Sequence, residues 1–181
     1  MKNEIEIKIE LNDDEFNLFS KRSKSRFVLE RTFGYFQEDF SNVEKGIFPR
    51  IKQICGKKIV VGIKLREKKN SKYFERKEFE YSTKEENLQE ARSIFLNIGF
   101  SKEIIFEKKR KEVLIGELSI SLDVLPFGKY MEIEGSKKAI KNFLMDNNLH
   151  RKKRINKSYL GLWSDFNKGG EKDCVFNEAP K

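Results

Sequence analysis

Acidic and basic side chains recur in this chain at a spacing of two. Near the N-terminus Glu4, Glu6 and Lys8 alternate with Ile5, Ile7 and Ile9. The alternation returns as Arg50 and Lys52, as Gly62, Lys64 and Arg66, and as Arg76, Glu78 and Glu80. It returns again as Lys108, Arg110 and Glu112, as Ser119, Ser121 and Asp123, and as Tyr130, Glu132 and Glu134. Successive side chains of a strand point to opposite faces, so each set shares one face. Carboxylates held close together repel and shift each other's pKa unless a cation sits among them. Oxygen donors alone suit a hard divalent ion, Mg²⁺ or Mn²⁺, and no His or Cys cluster suggests zinc. Lysines and arginines gathered on the same faces need a highly charged anion. A polyphosphate bridged to the metal satisfies both, provided that the faces turn inward.

The elements that would position these residues follow from pattern. Glu4–Leu11 alternates without a break and predicts a strand. Asn12 to Asp14 offer capping oxygens for a helix over about 13–24. Aromatic and β-branched residues predict a strand over 26–40, then a polar turn over 41–46. Strands over 48–55 and 58–66 flank a tight turn at Gly56-Lys57, and another strand covers 73–83. Thr83 can cap a helix in which Leu88, Ala91, Ile94, Phe95 and Ile98 recur at helical spacing before Gly99. Strands over 103–114 and 117–124 form a hairpin, and 129–135 is the last strand. Ser136 caps a further helix, Arg151–Arg154 is a basic connector, and 156–166 is a short terminal helix. The count is eight strands, mostly in hairpins, and closure into a barrel would remove the sheet edges.

From pattern alone, the economical alternative is a sheet with one wet charged face and helices on the other. Two details oppose it. The basic residues are grouped by strand rather than scattered. The carboxylates Glu4, Glu6, Asp123, Glu132 and Glu134 gather near the two ends of the strand region, where first and last strands can be neighbours.

The 181 residues suit one domain, here 1–166, with a polar, disordered tail over 167–181. The net charge of +9 favours anionic partners, and the 16 Phe supply apolar area for a core. Cys55 and Cys174 lie far apart and read as free thiols of a reducing compartment. The N-terminus shows no apolar signal segment, and no apolar run approaches the ~20 residues of a membrane helix. The expected location is cytoplasmic.

The ordered set of motifs resembles the CYTH superfamily, the triphosphate tunnel metalloenzymes. Glu4-x-Glu6-x-Lys8 is similar to its N-terminal signature. Arg50-x-Lys52 resembles its basic pair, usually two arginines, so Lys52 departs from it. Lys64, Arg76-x-Glu78-x-Glu80, Lys108-x-Arg110, Asp123, the stretch Gly128–Glu134 and Lys157-Ser158-Tyr159-Leu160 follow in the family's order. The resemblance covers about residues 4 to 162. It implies an α+β, mainly β fold: an eight-stranded antiparallel barrel forming a triphosphate tunnel, with helices outside. It implies Glu4, Glu6, Asp123, Glu132 and Glu134 as ligands of Mg²⁺ or Mn²⁺. Lys8, Arg50, Lys52, Lys64, Arg76, Lys108, Arg110 and Lys157 would bind phosphates. Glu78 and Glu80 would line the tunnel, and Glu4, Glu6, Lys8 and Lys64 would stand nearest the chemistry. Arg66 and Glu112 read as supporting ion pairs.

Three functions remain open on this reading. One is hydrolysis of the terminal phosphoanhydride of inorganic, thiamine or nucleoside triphosphate. The second is a class IV adenylate cyclase, which makes cyclic AMP and pyrophosphate from ATP. The third is non-catalytic binding of polyphosphate or an RNA 5′ end. The last strand, Tyr130-Met131-Glu132-Ile133-Glu134-Gly135, resembles the phosphatase-like members more than the cyclases. The expected partner is a small-molecule triphosphate rather than a membrane or a nucleic acid, with a homodimer as an option. His150 reads as a surface residue, and Trp163 as packing the terminal helix onto the barrel.

Overall fold

A computed structural model describes residues 2–66, 73–168 and 172–176, with Lys2, Asn3, Glu4 and Phe74 as backbone alone. The strands are β1 (Lys2–Glu10), β2 (Val28–Phe36), β3 (Ile47–Ile54), β4 (Lys58–Arg66), β5 (Phe74–Thr83), β6 (Lys102–Ile115), β7 (Leu118–Leu125), β8 (Gly128–Glu134) and a two-residue β9 (Arg154–Ile155). The helices are α1 (Asp13–Lys21), α2 (Ser41–Glu44), α3 (Leu88–Asn97), α4 (Lys137–Asp146) and α5 (Tyr159–Asn167). Strand order is β5-β4-β3-β2-β6-β7-β8-β1-β9, all neighbours are antiparallel, and β1 also pairs with β5. That last pairing closes eight strands into the expected barrel. β1 is the closing strand. Its first half pairs with β5 along one edge, β9 continues that edge at Lys8 and Ile9, and β8 covers the other.

The period of two decides which side is dry. Ile7, Ile9, Leu118, Ile120, Leu122, Met131 and Ile133 face outward into a core closed by Phe16 and Phe19 of α1 and by Ile140, Phe143 and Leu144 of α4. Phe33, Tyr35, Ile51 and Ile59 pack beneath Ala91 and Phe95 of α3. The helices thus remove the apolar outer faces from water, and the charged faces are left for the interior. Local signals set the helix starts. The Asn12 side chain accepts from the Glu15 N–H and the Glu15 carboxylate accepts from the Asn12 N–H, both at 2.9 Å. Ser136 Oγ accepts from the Ala139 N–H and Ser158 Oγ from the Gly161 N–H.

Four expectations change. Thr83 does not cap α3; it ends β5, and its hydroxyl accepts from the Asn87 side chain across a 3₁₀ turn over Glu85–Asn87. The second strand stops at Phe36, because Phe40 takes a left-handed φ of 57° and Ser41 starts a single helical turn. Arg154 of the basic connector forms β9 with Ile155, since β5 leaves that edge of β1 free at Lys8. The tail is not disordered over 172–176. Cys174 forms a parallel bridge with Phe106, and its N–H and C=O bond Ile105 and Glu107 on β6. Residues 169–171 and 177–181 lie outside the described residues.

Candidate active site

Register alone draws the inner wall. Across β8, β1 and β5 it sets Glu132 beside Lys8, Glu134 beside Glu6, and Arg76 beside the backbone of Glu4. On β5, β4 and β3 it sets Glu78 beside Lys64, and Gly62 between Glu80 and Arg50. On β2, β6 and β7 it sets Glu30 beside Lys108 and Arg110 beside Asp123. Apart from Glu30 and Asp123, the side chains so placed meet in a cavity of about 230 Å³ inside the barrel. Glu6, Lys8, Arg50, Lys52, Lys64, Arg76, Glu78, Glu80, Lys108, Arg110, Glu132 and Glu134 all line it. The wet-face alternative fails here, since Glu6, Lys8, Lys64, Glu78 and Lys108 are buried.

Gly62 has a specific role in that wall. A Cβ on it would stand 2.4 Å from the Phe79 carbonyl oxygen. With no side chain there, Arg50 Nη2 reaches across β4 to Glu80 Oε1 at 2.5 Å, and lies 3.9 Å from Glu78.

Most tunnel cations are held by carboxylates. Lys8 Nζ lies 3.2 Å from Glu132, donates to the Lys157 carbonyl at 3.0 Å, and stands 4.1 Å from the centre of the Tyr159 ring. Arg110 grips Asp123 with two nitrogens, at 2.6 and 2.5 Å, and also donates to Glu132. Lys108 is 3.4 Å from Glu30 and 3.5 Å from Asp123. Lys64 pairs with Glu78, and Arg76 with Glu6. Lys52 differs: among the described residues no carboxylate comes within ion-pair distance of its ammonium.

The protonation of the wall follows from these neighbours. Burial would raise the Glu30 pKa, but Lys108, Arg110 and Lys52 overcome it and bring it to about 2. Burial opposes ionisation of Glu132 as well, yet Arg110, Lys8 and Lys108 hold it well below the usual carboxylate range. Lys52 moves the other way. Burial lowers its pKa, and Arg50, Lys108 and Arg110 add repulsion that Glu30 only partly offsets. A charged Lys52 therefore lacks compensation that a phosphate oxygen would supply.

Three of the residues expected at the site stand elsewhere or undescribed. The Lys157 ammonium turns outward to Asp165, and only its carbonyl reaches the tunnel, through Lys8. Asp123 is fully buried behind the wall, where Arg110, Tyr159 and Lys108 take its oxygens. The Glu4 side chain lies outside the described residues. Of the two support residues, Glu112 sits at the rim, 4.0 Å from Arg110, and Arg66 lines an adjoining cavity. His150 is exposed, and Trp163 stacks on Phe166 and packs at a tilt against Phe127.

Glu30, Thr32 and Tyr159 also reach the wall, beyond the expected set. The first two had a signal, because the period of two continued through β2 puts both on the inner face. Tyr159 sits in the quoted Lys-Ser-Tyr-Leu stretch, but nothing in that stretch tells that its hydroxyl donates to Asp123 at 2.7 Å. Its ring also lies 5.4 Å from Lys108.

Solved structures share this architecture. The PH1819 protein of Pyrococcus horikoshii superposes with a TM-score of 0.70 at 25% identity, over 90% of this chain and 99% of that one. A proposed adenylate cyclase from Vibrio parahaemolyticus gives 0.63 at 19% identity, over 87% and 95%. HpAC1 of Hippeastrum, a proposed adenylyl cyclase described as revealing a dominant triphosphatase activity, gives 0.67 at 16% identity, over 94% and 97%. No family model and no curated protein sequence matches the chain. The likenesses show a common fold, and function has to be argued from the tunnel wall. No helix among the described residues is long and apolar enough to cross a membrane.

Proposed function

We propose that this protein is a triphosphate tunnel enzyme that hydrolyses the terminal phosphoanhydride of its substrate with the help of Mg²⁺ or Mn²⁺. The observation that carries the reading is the convergence of Lys8, Arg50, Lys52, Lys64, Arg76, Lys108 and Arg110 inside one closed barrel. Cations from five strands aimed into a small cavity match an anion with charge on every side. Phosphoryl transfer asks mainly for positioning and charge neutralisation, which this wall can supply.

The metal is tested by the donors present. Glu6 and Glu134 stand directly opposite each other on neighbouring strands, and Glu132 is two residues away on the same face. Like charges so placed destabilise a sheet unless a cation lies near. The donors are carboxylate oxygens, as a hard divalent ion prefers. Among the described residues no three acids already form a cage. Glu6, Glu132 and Glu134 would hold the ion together with substrate oxygens, the usual habit of Mg²⁺. When bound, the ion would neutralise phosphate charge and acidify a coordinated water. Lys8, Lys52 and Lys64 would bind phosphate oxygens. Asp123 acts differently from a ligand: with Tyr159 it fixes the Arg110 guanidinium so that its remaining edge faces the substrate.

The fold shared with a proposed cyclase keeps ATP cyclisation as the second reading. The triphosphatase activity described for HpAC1 and the Glu-Ile-Glu-Gly end of β8 favour hydrolysis. Purified protein with Mg²⁺ or Mn²⁺ is offered ATP, GTP, thiamine triphosphate and inorganic triphosphate, and products are separated. Orthophosphate is expected. Cyclic AMP plus pyrophosphate without orthophosphate would overturn hydrolysis, and tight binding without turnover would overturn catalysis.

A further inference from the structure

A second cavity, of about 570 Å³, adjoins the tunnel. Phe48, Lys64, Arg76, Ser158 and Leu160 belong to both walls, so the two spaces share an edge. Beyond this shared edge the lining becomes apolar and aromatic, with Phe36, Phe40, Val43, Ile47 and Trp163. Phe40 and Val43 stay exposed in spite of their size. The Trp163 indole N–H is buried and has no acceptor among the described residues, whereas a buried indole N–H ordinarily finds one.

On the reading that the tunnel holds a triphosphate, we propose that this vestibule binds the neutral heteroaromatic base of a nucleoside triphosphate. A bare inorganic triphosphate would fill the tunnel and leave the vestibule unused. An organic ring joined to the phosphates would bury its faces against Phe and Trp side chains, and base–aromatic stacking is favourable for any base. The same rings would also attract a cationic thiazolium. The lining favours a neutral ring: Lys64, Arg66, Arg76 and Lys172 line the vestibule, Lys64 and Arg76 with their carboxylate partners on the tunnel side, and no carboxylate lines it among the described residues. A neutral base avoids the repulsion.

Trp163 is the only tryptophan, so its emission reports on the vestibule directly. The full-length protein is mixed with Mg²⁺ and ATP, GTP, thiamine triphosphate or inorganic triphosphate. Emission is followed before turnover, and kcat/KM is measured for each. ATP and GTP are expected to change the emission while inorganic triphosphate does not. Their kcat/KM should exceed those of inorganic and thiamine triphosphate by about tenfold. In Trp163→Ala the ratio of kcat/KM for ATP to that for inorganic triphosphate should fall about tenfold. A wild-type kcat/KM as high for inorganic or thiamine triphosphate as for ATP would overturn the vestibule assignment and leave the triphosphatase standing. Conversion of ATP to cyclic AMP would support the vestibule and overturn hydrolysis. Neither binding nor turnover of any of the four would overturn the tunnel reading itself, and the vestibule with it.

Discussion

Glu30, behind the tunnel wall, is the carboxylate whose removal has the most calculable effect. Its pKa falls from 4.5 to about 2 despite burial, because Lys108, Arg110 and Lys52 surround it. That fall corresponds to about 3 kcal/mol of interaction with the charged form. The folded pKa is the depressed one, so this stability is fully present above 4.5 and is lost as pH falls towards about 2. Glu30→Gln keeps the shape and removes the charge. Denaturant unfolding at pH 7 should show the variant about 3 kcal/mol less stable than wild type. At pH 3 the wild-type advantage should shrink to about 1.4 kcal/mol, since the unfolded carboxyl is by then almost fully protonated while the folded one stays mostly ionised. A loss below about 1 kcal/mol at pH 7, or one that stays constant down to pH 3, would refute the claim that the cation cluster is built around this carboxylate.

Three further outcomes follow from the same wall. Glu6→Gln should abolish metal-dependent turnover while circular dichroism stays native, and wild-type rates would remove Glu6 from the metal set. The Lys52 ammonium is discouraged by burial and by neighbouring cations, so it loses its proton at lower pH than an ordinary lysine. Triphosphate KM should therefore rise in the alkaline range, and Lys52→Arg should flatten that rise because guanidinium does not titrate there; identical pH profiles would count against Lys52 as a phosphate ligand. Gly62→Ala pushes a methyl group against the Phe79 carbonyl. It should cost about 1–3 kcal/mol and lower Tm by several degrees, and an unchanged melting curve would show that β4 can shift freely.

The strands and their inner faces were legible because a period of two, once fixed by Ile7 and Ile9, assigns every other side chain. What pattern could not supply was the sign of curvature. An open sheet with a wet face and a closed barrel share the same alternation. They differ in one pairing, β1 with β5, between segments some seventy residues apart. Asp123 shows a second limit. Alternation correctly turns it inward, but only the register against Arg110 and the reach of Tyr159 from α5 reveal that its oxygens are already taken. Lys157 shows a third, since a motif that lies at the mouth can present its carbonyl while its ammonium leaves the site.

The balance of charge in the wall bears on how a substrate could enter. Lys8, Arg50, Lys52, Lys64, Arg76, Lys108 and Arg110 face Glu6, Glu78, Glu80, Glu112, Glu132 and Glu134, with Glu30 and Asp123 behind them. The two signs nearly cancel, so the tunnel is not a simple sink for anions. On the proposed reading a triphosphate would have to take lysines and arginines from their present carboxylates, and each carboxylate so released would be a buried charge that has lost its partner. A divalent ion at Glu6, Glu132 and Glu134 would offset that loss where Arg76, Arg110 and Lys8 now do so. Metal and triphosphate would then each relieve the cost that the other creates. By linkage each must strengthen the binding of the other to the same degree. On this argument the mixed signs that first suggested a wet surface are what couple the two ligands: a purely basic tunnel would bind the anion without the metal, and a purely acidic one the metal without the anion.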